Sequence, residues 1–150
     1  MLIGGVEKTS LVDYPEKLTA VVFTIGCNFR CGYCHNPELL SINSEKHPFI
    51  SEDDFFNFLE KRKGKLDGVV ITGGEPLLQK DVESFIYNIK EMGFLVKLDT
   101  NGTNPDMIKY LVENNLCDYF AVDIKNSKEN YAKIKAEDGC IYVLAEKLAP

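Results

Sequence analysis

Residues 18–37 read LTAVVFTIGCNFRCGYCHNP. An apolar, β-branched run from Leu18 to Thr24 leads with no linker into a loop carrying Cys27, Cys31 and Cys34. The run predicts a buried strand. The loop raises a question about ligands. Its spacing is C-x3-C-x2-C, with no fourth cysteine nearby. Tetrahedral zinc sites use four ligands, in pairs of cysteine knuckles or cysteine with histidine. His35 is the neighbouring candidate, but it follows Cys34 directly, and joint chelation of one small ion by adjacent residues is awkward. A cubane iron–sulfur cluster is larger, and each thiolate binds a different iron. Three cysteines in one loop can then hold three corners and leave the fourth iron open. Thiolates are also the soft ligands such clusters select. On spacing alone, zinc and cluster both stand.

Outward from this stretch, strand and helix signals alternate. ISEDDFFNFLEKRKG (50–64) predicts a helix capped by Ser51, with Phe55, Phe58 and Leu59 on one face. GVVITGGEP (68–76) predicts a strand entering a glycine turn, and DVESFIYNIKEMG (81–93) a helix stopped by Gly93. FLVKLDTNG (94–102) predicts a third strand. Asn104 and Pro105 form an N-cap and first-turn pair for PDMIKYLVENN. DYFAVDIK (118–125) predicts a fourth strand and SKENYAKIK (127–135) a short helix; CIYVLAEKL (140–148) favours a strand over a helix. Alternating βα units imply a parallel sheet with right-handed crossovers. The expected fold class is α/β, with about four to five βα units.

The chain has 150 residues, 45% of them apolar, which suits one domain with a proper core. Residues 1–17 are expected to be an N-terminal extension or a hairpin pairing 2–6 with 10–14 around EKT. Residues 18–135 form the βα core, and 136–150 are ambiguous. No run approaches the roughly 18–20 apolar residues of a membrane span. The start has no basic, apolar leader pattern, so a cytoplasmic location and no membrane partner are expected. Net charge is −6, from 17 basic and 23 acidic residues, which argues against nucleic-acid binding. The basic cluster KRKGK (61–65) reads as a helix end, where cations suit the dipole. Five cysteines, an odd number, argue against a disulfide framework. Cys117 and Cys140 read as small buried hydrophobes outside any metal site.

Ligands of α/β proteins bind beyond the carboxyl ends of the strands. Here each such end carries polar chemistry: the cysteine loop, Thr72-Gly73-Gly74-Glu75-Pro76, Asp99-Thr100-Asn101-Gly102, and Asp123-Ile124-Lys125. The two glycines allow close backbone approach to a ligand, and Glu75 could accept from an ammonium group. Asp99 and Asn101 suit hydroxyl groups such as a ribose diol, or else merely cap a turn. Asp123 and Lys125 alternate with Val122 and Ile124 and read as a charge pair, either solvated or facing the site. The four turns should converge on one mouth.

With these residues in hand, CNFRCGYC resembles the cluster loop of radical S-adenosylmethionine (radical SAM) enzymes, and GGEP after the second strand matches their second signature. The resemblance covers roughly residues 18–125. SLVDYP upstream and DTNG and DIK downstream resemble the glycyl-radical activating enzymes, above all those serving anaerobic ribonucleoside-triphosphate reductases. The resemblance implies a partial (β/α) barrel of the radical SAM type. It implies a [4Fe–4S] cluster held by Cys27, Cys31 and Cys34, with SAM on the open iron. By position, Gly73, Gly74 and Glu75 would receive the SAM ammonium, and Tyr33 would pack near adenine, unless it is a core tyrosine. Asp99 and Asn101 would face the ribose. Lys125, beside Asp123, would lie near the SAM carboxylate or the substrate glycine. His35 and Asn36 would order the cluster loop. The implied reaction is reductive cleavage of SAM to a 5′-deoxyadenosyl radical, which takes hydrogen from a glycine Cα of a partner glycyl-radical enzyme, here an anaerobic ribonucleotide reductase. Flavodoxin or ferredoxin would supply the electron.

The sequence departs from the family in two places. Many radical SAM enzymes have six βα units, so the barrel is either a half-open arc or a truncated form. An open barrel exposes an edge strand, so residues 118–148 are expected to contact a partner or a second copy in a homodimer. Glu16 stands where the family has glycine, which questions the N-terminal turn. Other readings are an activase of a pyruvate formate-lyase-like enzyme, a radical SAM enzyme of another branch, and a non-catalytic iron–sulfur or zinc-binding module.

Overall fold

The structure, a computed structural model, describes residues 1–40, 49–125 and 127. All but the first residue of the helix expected over 127–135, the strand expected over 140–148 and Cys140 lie outside the described residues. Among the described residues, five strands form one sheet: β1 (Ile3–Ser10), β2 (Thr19–Thr24), β3 (Gly68–Gly73), β4 (Leu95–Thr100) and β5 (Tyr119–Val122). Among them too, three α-helices link the strands from β2 onward: α1 (Glu52–Glu60), α2 (Val82–Glu91) and α3 (Pro105–Glu113). Strand order is β1-β2-β3-β4-β5. β2 to β5 run parallel, and β1 adds an antiparallel edge.

An unreversed strand order has a consequence for shape. Right-handed crossovers that always step to the next strand put every helix on the same face. That is the winding of a (β/α) barrel, not of a doubly wound sheet. The packing agrees. Ala20, Val22, Val69, Ile71, Val96 and Leu98 are buried in one cluster with Phe55 and Leu59 of α1, Phe85 and Ile89 of α2, and Ile108 and Leu111 of α3. The opposite face carries a smaller cluster of Tyr14, Val21 and Val70, flanked by Phe23 and Leu95.

The helix boundaries follow from capping chemistry. Ser51 Oγ accepts from Asp54 N at 3.0 Å, and Asn104 Oδ1 accepts from Met107 N at 3.1 Å. α2 ends before Gly93, at φ +88°. The KRKGK cluster does follow α1, and Arg62 in it reaches across to donate to Lys8 O at 3.2 Å.

The N-terminal hairpin differs from expectation. EKT is not a turn; it lies inside β1, which pairs with β2 instead of folding on itself. The chain reverses at 11–16, where Ser10 Oγ accepts from Val12 N and Asp13 N and Lys17 N donates to Tyr14 O. Glu7, Lys8 and Thr9 are exposed; charge on a sheet edge mimics a turn in sequence. Glu16 sits at φ +61°. The turn keeps the left-handed geometry that favours glycine, with a residue that adopts it at a cost.

Candidate functional site

A cavity of about 240 Å³ opens at the carboxyl ends of β2 to β5. The β2 loop contributes Cys27, Phe29, Cys31, Tyr33, Cys34, His35 and Asn36. β3 contributes Thr72, Gly73 and Gly74; β4 contributes Asp99, Thr100 and Asn101; the segment after β5 contributes Asp123 and Lys125. Each of the four strand ends singled out in the sequence therefore meets the others at one mouth.

Backbone contacts hold the first two turns together. Gly74 N donates to Thr24 O at 2.9 Å, and Glu75 N donates to Gly26 O at 2.7 Å. The approach is so close that a Cβ on Gly74 would stand 2.1 Å from Gly26 O. The second glycine is thus required by the neighbouring cysteine loop, whatever it does for a ligand. Within the loop, Phe29 N donates to Cys27 Sγ at 3.3 Å, and Arg30 Nη1 donates to Cys27 O at 2.6 Å. Burial pushes the Cys27 thiol above its ordinary value, with Glu75, Cys31 and Cys34 adding to the rise.

Glu75 does not face the cavity. It is 1% exposed. Its Oε1 accepts from Leu77 N (3.0 Å) and Thr100 Oγ1 (2.7 Å), and its Oε2 accepts from Asn101 N (2.7 Å). Burial pushes its carboxyl up, opposed by those three donors. Glu75 therefore ties the β3 turn to the β4 turn from below. Asn101 is committed in the same way. Its Oδ1 accepts from Thr103 N and Thr103 Oγ1, and its Nδ2 donates to Asn28 Oδ1 at 2.8 Å. Asn28 Nδ2 in turn donates to Thr103 Oγ1 at 2.9 Å. The side chain of Asn101 thus makes a capped turn and pins the cysteine loop to the β4 turn.

Asp99 differs, since it lines the cavity and is ion-paired with Lys97. Tyr33 is 61% exposed, so it is not a core tyrosine; its hydroxyl donates to Lys125 O at 2.6 Å and joins the cysteine loop to the last described turn. Lys125 Nζ donates to Asp123 Oδ2 at 2.7 Å. Burial works to lower the Lys125 ammonium; the Asp123 carboxylate, with Cys31 and Tyr33 adding to it, raises it, and the net direction is up. β5 stops at Val122, and Ile124 is 77% exposed, so the strand alternation expected through 125 does not continue. Cys117 stands apart: its Sγ lies against Val96 O and Tyr119 O, and burial pushes its thiol up to about 12.

The sequence reading gave no role to Asn28, Phe29 or Lys97, and named Thr72 and Thr100 only as parts of their strand ends. Two of these left a signal. Asn28 follows the first cysteine directly, and Lys97 is the lysine in an otherwise apolar strand core.

Comparison with known proteins accords with this geometry. The profile of the radical SAM superfamily matches residues 21–139. The chain belongs to the radical SAM superfamily, whose members use a [4Fe–4S] cluster and S-adenosylmethionine. A provisionally named glycyl-radical enzyme activating enzyme of Methanocaldococcus jannaschii is 43% identical over 92% of this chain and 57% of its own length. The pyruvate formate-lyase-activating enzyme of Staphylococcus aureus is 40% identical over 67% of this chain and 41% of its own. The chain thus spans about half the length of the curated relatives it matches. QueE from Escherichia coli has a similar fold, with a TM-score of 0.59 at 18% identity, over 68% of this chain and 52% of that one.

The residues present fit such a cluster. Three thiols line one cavity, and a backbone N–H already points at one sulfur. Among the described residues, no three His, Cys, Asp or Glu side chains converge on a point where a single ion could sit. No helix among the described residues is long and apolar enough to cross a membrane.

Proposed function

We propose that this chain carries the catalytic domain of a radical SAM activase. The observation that carries the reading is the meeting of three thiols and three further strand ends at one cavity. Cys27, Cys31 and Cys34 would hold the [4Fe–4S] cluster, leaving one iron for the amino and carboxylate groups of SAM. Given one electron from a donor, the bound pair would supply reductive cleavage of SAM to methionine and a 5′-deoxyadenosyl radical, which would take hydrogen from a glycine Cα in the partner enzyme. The chain's own residues do the rest. The carbonyls near Gly73 and Gly74 would receive the SAM ammonium, since the Glu75 carboxylate is spent on three internal donors. Asp99 would accept from the ribose, with Asn101 holding the turn beside it. Tyr33 would cover the adenine, and Lys125, kept charged by Asp123, would meet the carboxylate.

The Methanocaldococcus jannaschii relative, named as a glycyl-radical enzyme activating enzyme, supports the substrate class. An anaerobic ribonucleotide reductase is the partner we favour, from the motifs SLVDYP and DTNG. A pyruvate formate-lyase-like enzyme is the second reading, supported by the name of the Staphylococcus aureus relative. Flavodoxin or ferredoxin would be the electron donor, in the cytoplasm, and the β5 side would contact a partner or a second copy. Anaerobic reconstitution with iron and sulfide, then dithionite and SAM, tests the reading. The expected result is a cubane EPR signal and 5′-deoxyadenosine. Metal binding without SAM cleavage would leave a non-catalytic iron–sulfur or zinc-binding module. Glycyl-radical EPR with each candidate partner in turn separates the two substrate readings.

A further inference from the structure

β4 reads Leu95-Val96-Lys97-Leu98-Asp99-Thr100. Successive side chains alternate between the faces of a sheet. Val96 and Leu98 join the helix-facing core, so Lys97 and Asp99 share the opposite face. That face is otherwise apolar at this level, with Val21, Val70, Phe23 and Leu95. Yet Lys97 is only 7% exposed. Its ammonium is ion-paired with Asp99 and lies 5.9 Å from the ring centre of Tyr119, which packs against Tyr14 at 5.5 Å. Covering a charge costs hydration that an apolar side chain of similar length would not lose. Packing alone therefore gives no reason for a lysine at this position. Asp99 lines the cavity; Lys97 does not.

We propose that Lys97 is a positioning residue, which from beneath the cavity fixes the rotamer and the negative charge of Asp99 so that Asp99 offers the bound ligand a hydrogen-bond acceptor. The proposal rests on the reading of the cavity as a SAM site. The groups facing Asp99 come from β3, from β4 and from the segment after β5. Burial pushes its carboxyl up, and Asp123 beyond β5 adds to the rise. Lys97 on its own strand and the Thr72 hydroxyl of β3 oppose it, and the net direction is up. Asp123 has its own cation in Lys125, at 2.7 Å. Removing Lys97 leaves Asp99 with burial, a nearby carboxylate and one hydroxyl. Its proton then stays on to a higher pH, and an acceptor becomes a donor aimed at ligand hydroxyls.

The sign follows. Because the carboxyl is already raised, affinity for SAM is lost as pH falls through its midpoint, and loss of Lys97 moves that midpoint upward. The test is equilibrium binding of SAM to the anaerobically reconstituted protein across pH, comparing wild type with Lys97→Met, Lys97→Arg, Asp99→Asn and the Lys97→Met/Asp99→Asn pair. Cluster content and thermal unfolding are measured on each. Lys97→Met should bind like wild type at alkaline pH and lose affinity on acidification at a higher pH than wild type does, because its Asp99 keeps the proton to a higher pH. Lys97→Arg should restore the wild-type profile. Asp99→Asn should bind weakly at every pH, and adding Lys97→Met to it should change nothing further. If Lys97→Met does not fold, Lys97→Gln replaces it with the same expected profile. An unchanged pH profile on loss of Lys97, or full additivity with Asp99→Asn, overturns the proposal while the site reading survives. Wild-type protein that carries a cluster but binds no SAM at any pH overturns the site reading, and the proposal with it.

Discussion

The two faces of the sheet are written by the same four parallel strands, and they do different work. On the helix side, β2 offers Ala20 and Val22, β3 Val69 and Ile71, and β4 Val96 and Leu98, all fully buried. On the other side the same strands offer apolar residues at one end and Thr72 and Asp99 at the cavity end, with Asp123 just beyond β5. Period-two alternation thus separates stability from chemistry residue by residue. A substitution on the helix face should damage folding and spare the site; one at the cavity end of the other face should do the reverse.

The largest expected effect comes from the cavity side. Cys31→Ser should abolish cluster assembly, read as near-complete loss of bound iron, while far-ultraviolet circular dichroism stays unchanged. The thiol lies in a loop outside the main core, so a variant that also unfolds would break the separation of faces. Next in size is Phe85→Ala. Phe85 is 1% exposed and stacks on Phe55 at 5.5 Å; truncating it should cost about 3–5 kcal/mol in denaturant unfolding. Folded variant protein should still take up iron.

Glu75→Gln probes the seam between the two regions. Its carboxylate accepts from Leu77, Thr100 and Asn101, and an amide nitrogen cannot accept. Losing one acceptor against a buried donor should cost about 1–3 kcal/mol, measured by chemical denaturation. Weaker SAM binding should accompany it, because two cavity turns lose their tie. A stable variant with an intact site would show that backbone contacts suffice. The smallest effect sits far from both. Glu16→Gly should stabilise the protein by up to about 1 kcal/mol, since φ +61° costs a side chain more than it costs glycine. A shift in melting temperature would read it, with iron uptake unaffected.

Much of this was legible along the chain. The βα alternation, Ser51 and Asn104 as helix caps and Gly93 as a helix stop are local features, and they appear where the pattern put them. The four strand ends were legible too, because a parallel sheet leaves them all on one side. What misled was local resemblance between charge and turn. Glu7-Lys8-Thr9 read as a hairpin loop and is an exposed edge strand. Ile124 read as an inward strand residue, but β5 had already ended. Glu75 read as a ligand contact because a carboxylate can accept from an ammonium group; three donors, one from its own turn and two from the β4 turn, claim it.

The sequence by itself determined which residues could carry chemistry. Three thiols at fixed spacing, two glycines and the polar strand ends are properties of residue type and order. The superfamily match over residues 21–139 rests on the same order. Only the tertiary structure decided what those residues face. Asn28 meets Asn101 across 73 positions, and Glu75 meets Thr100 across 25. Lys97 is covered by Tyr119, which a neighbouring strand brings to it. Hydrogen bonding and burial between turns depend on which strands lie side by side, and that is set by packing of the whole sheet.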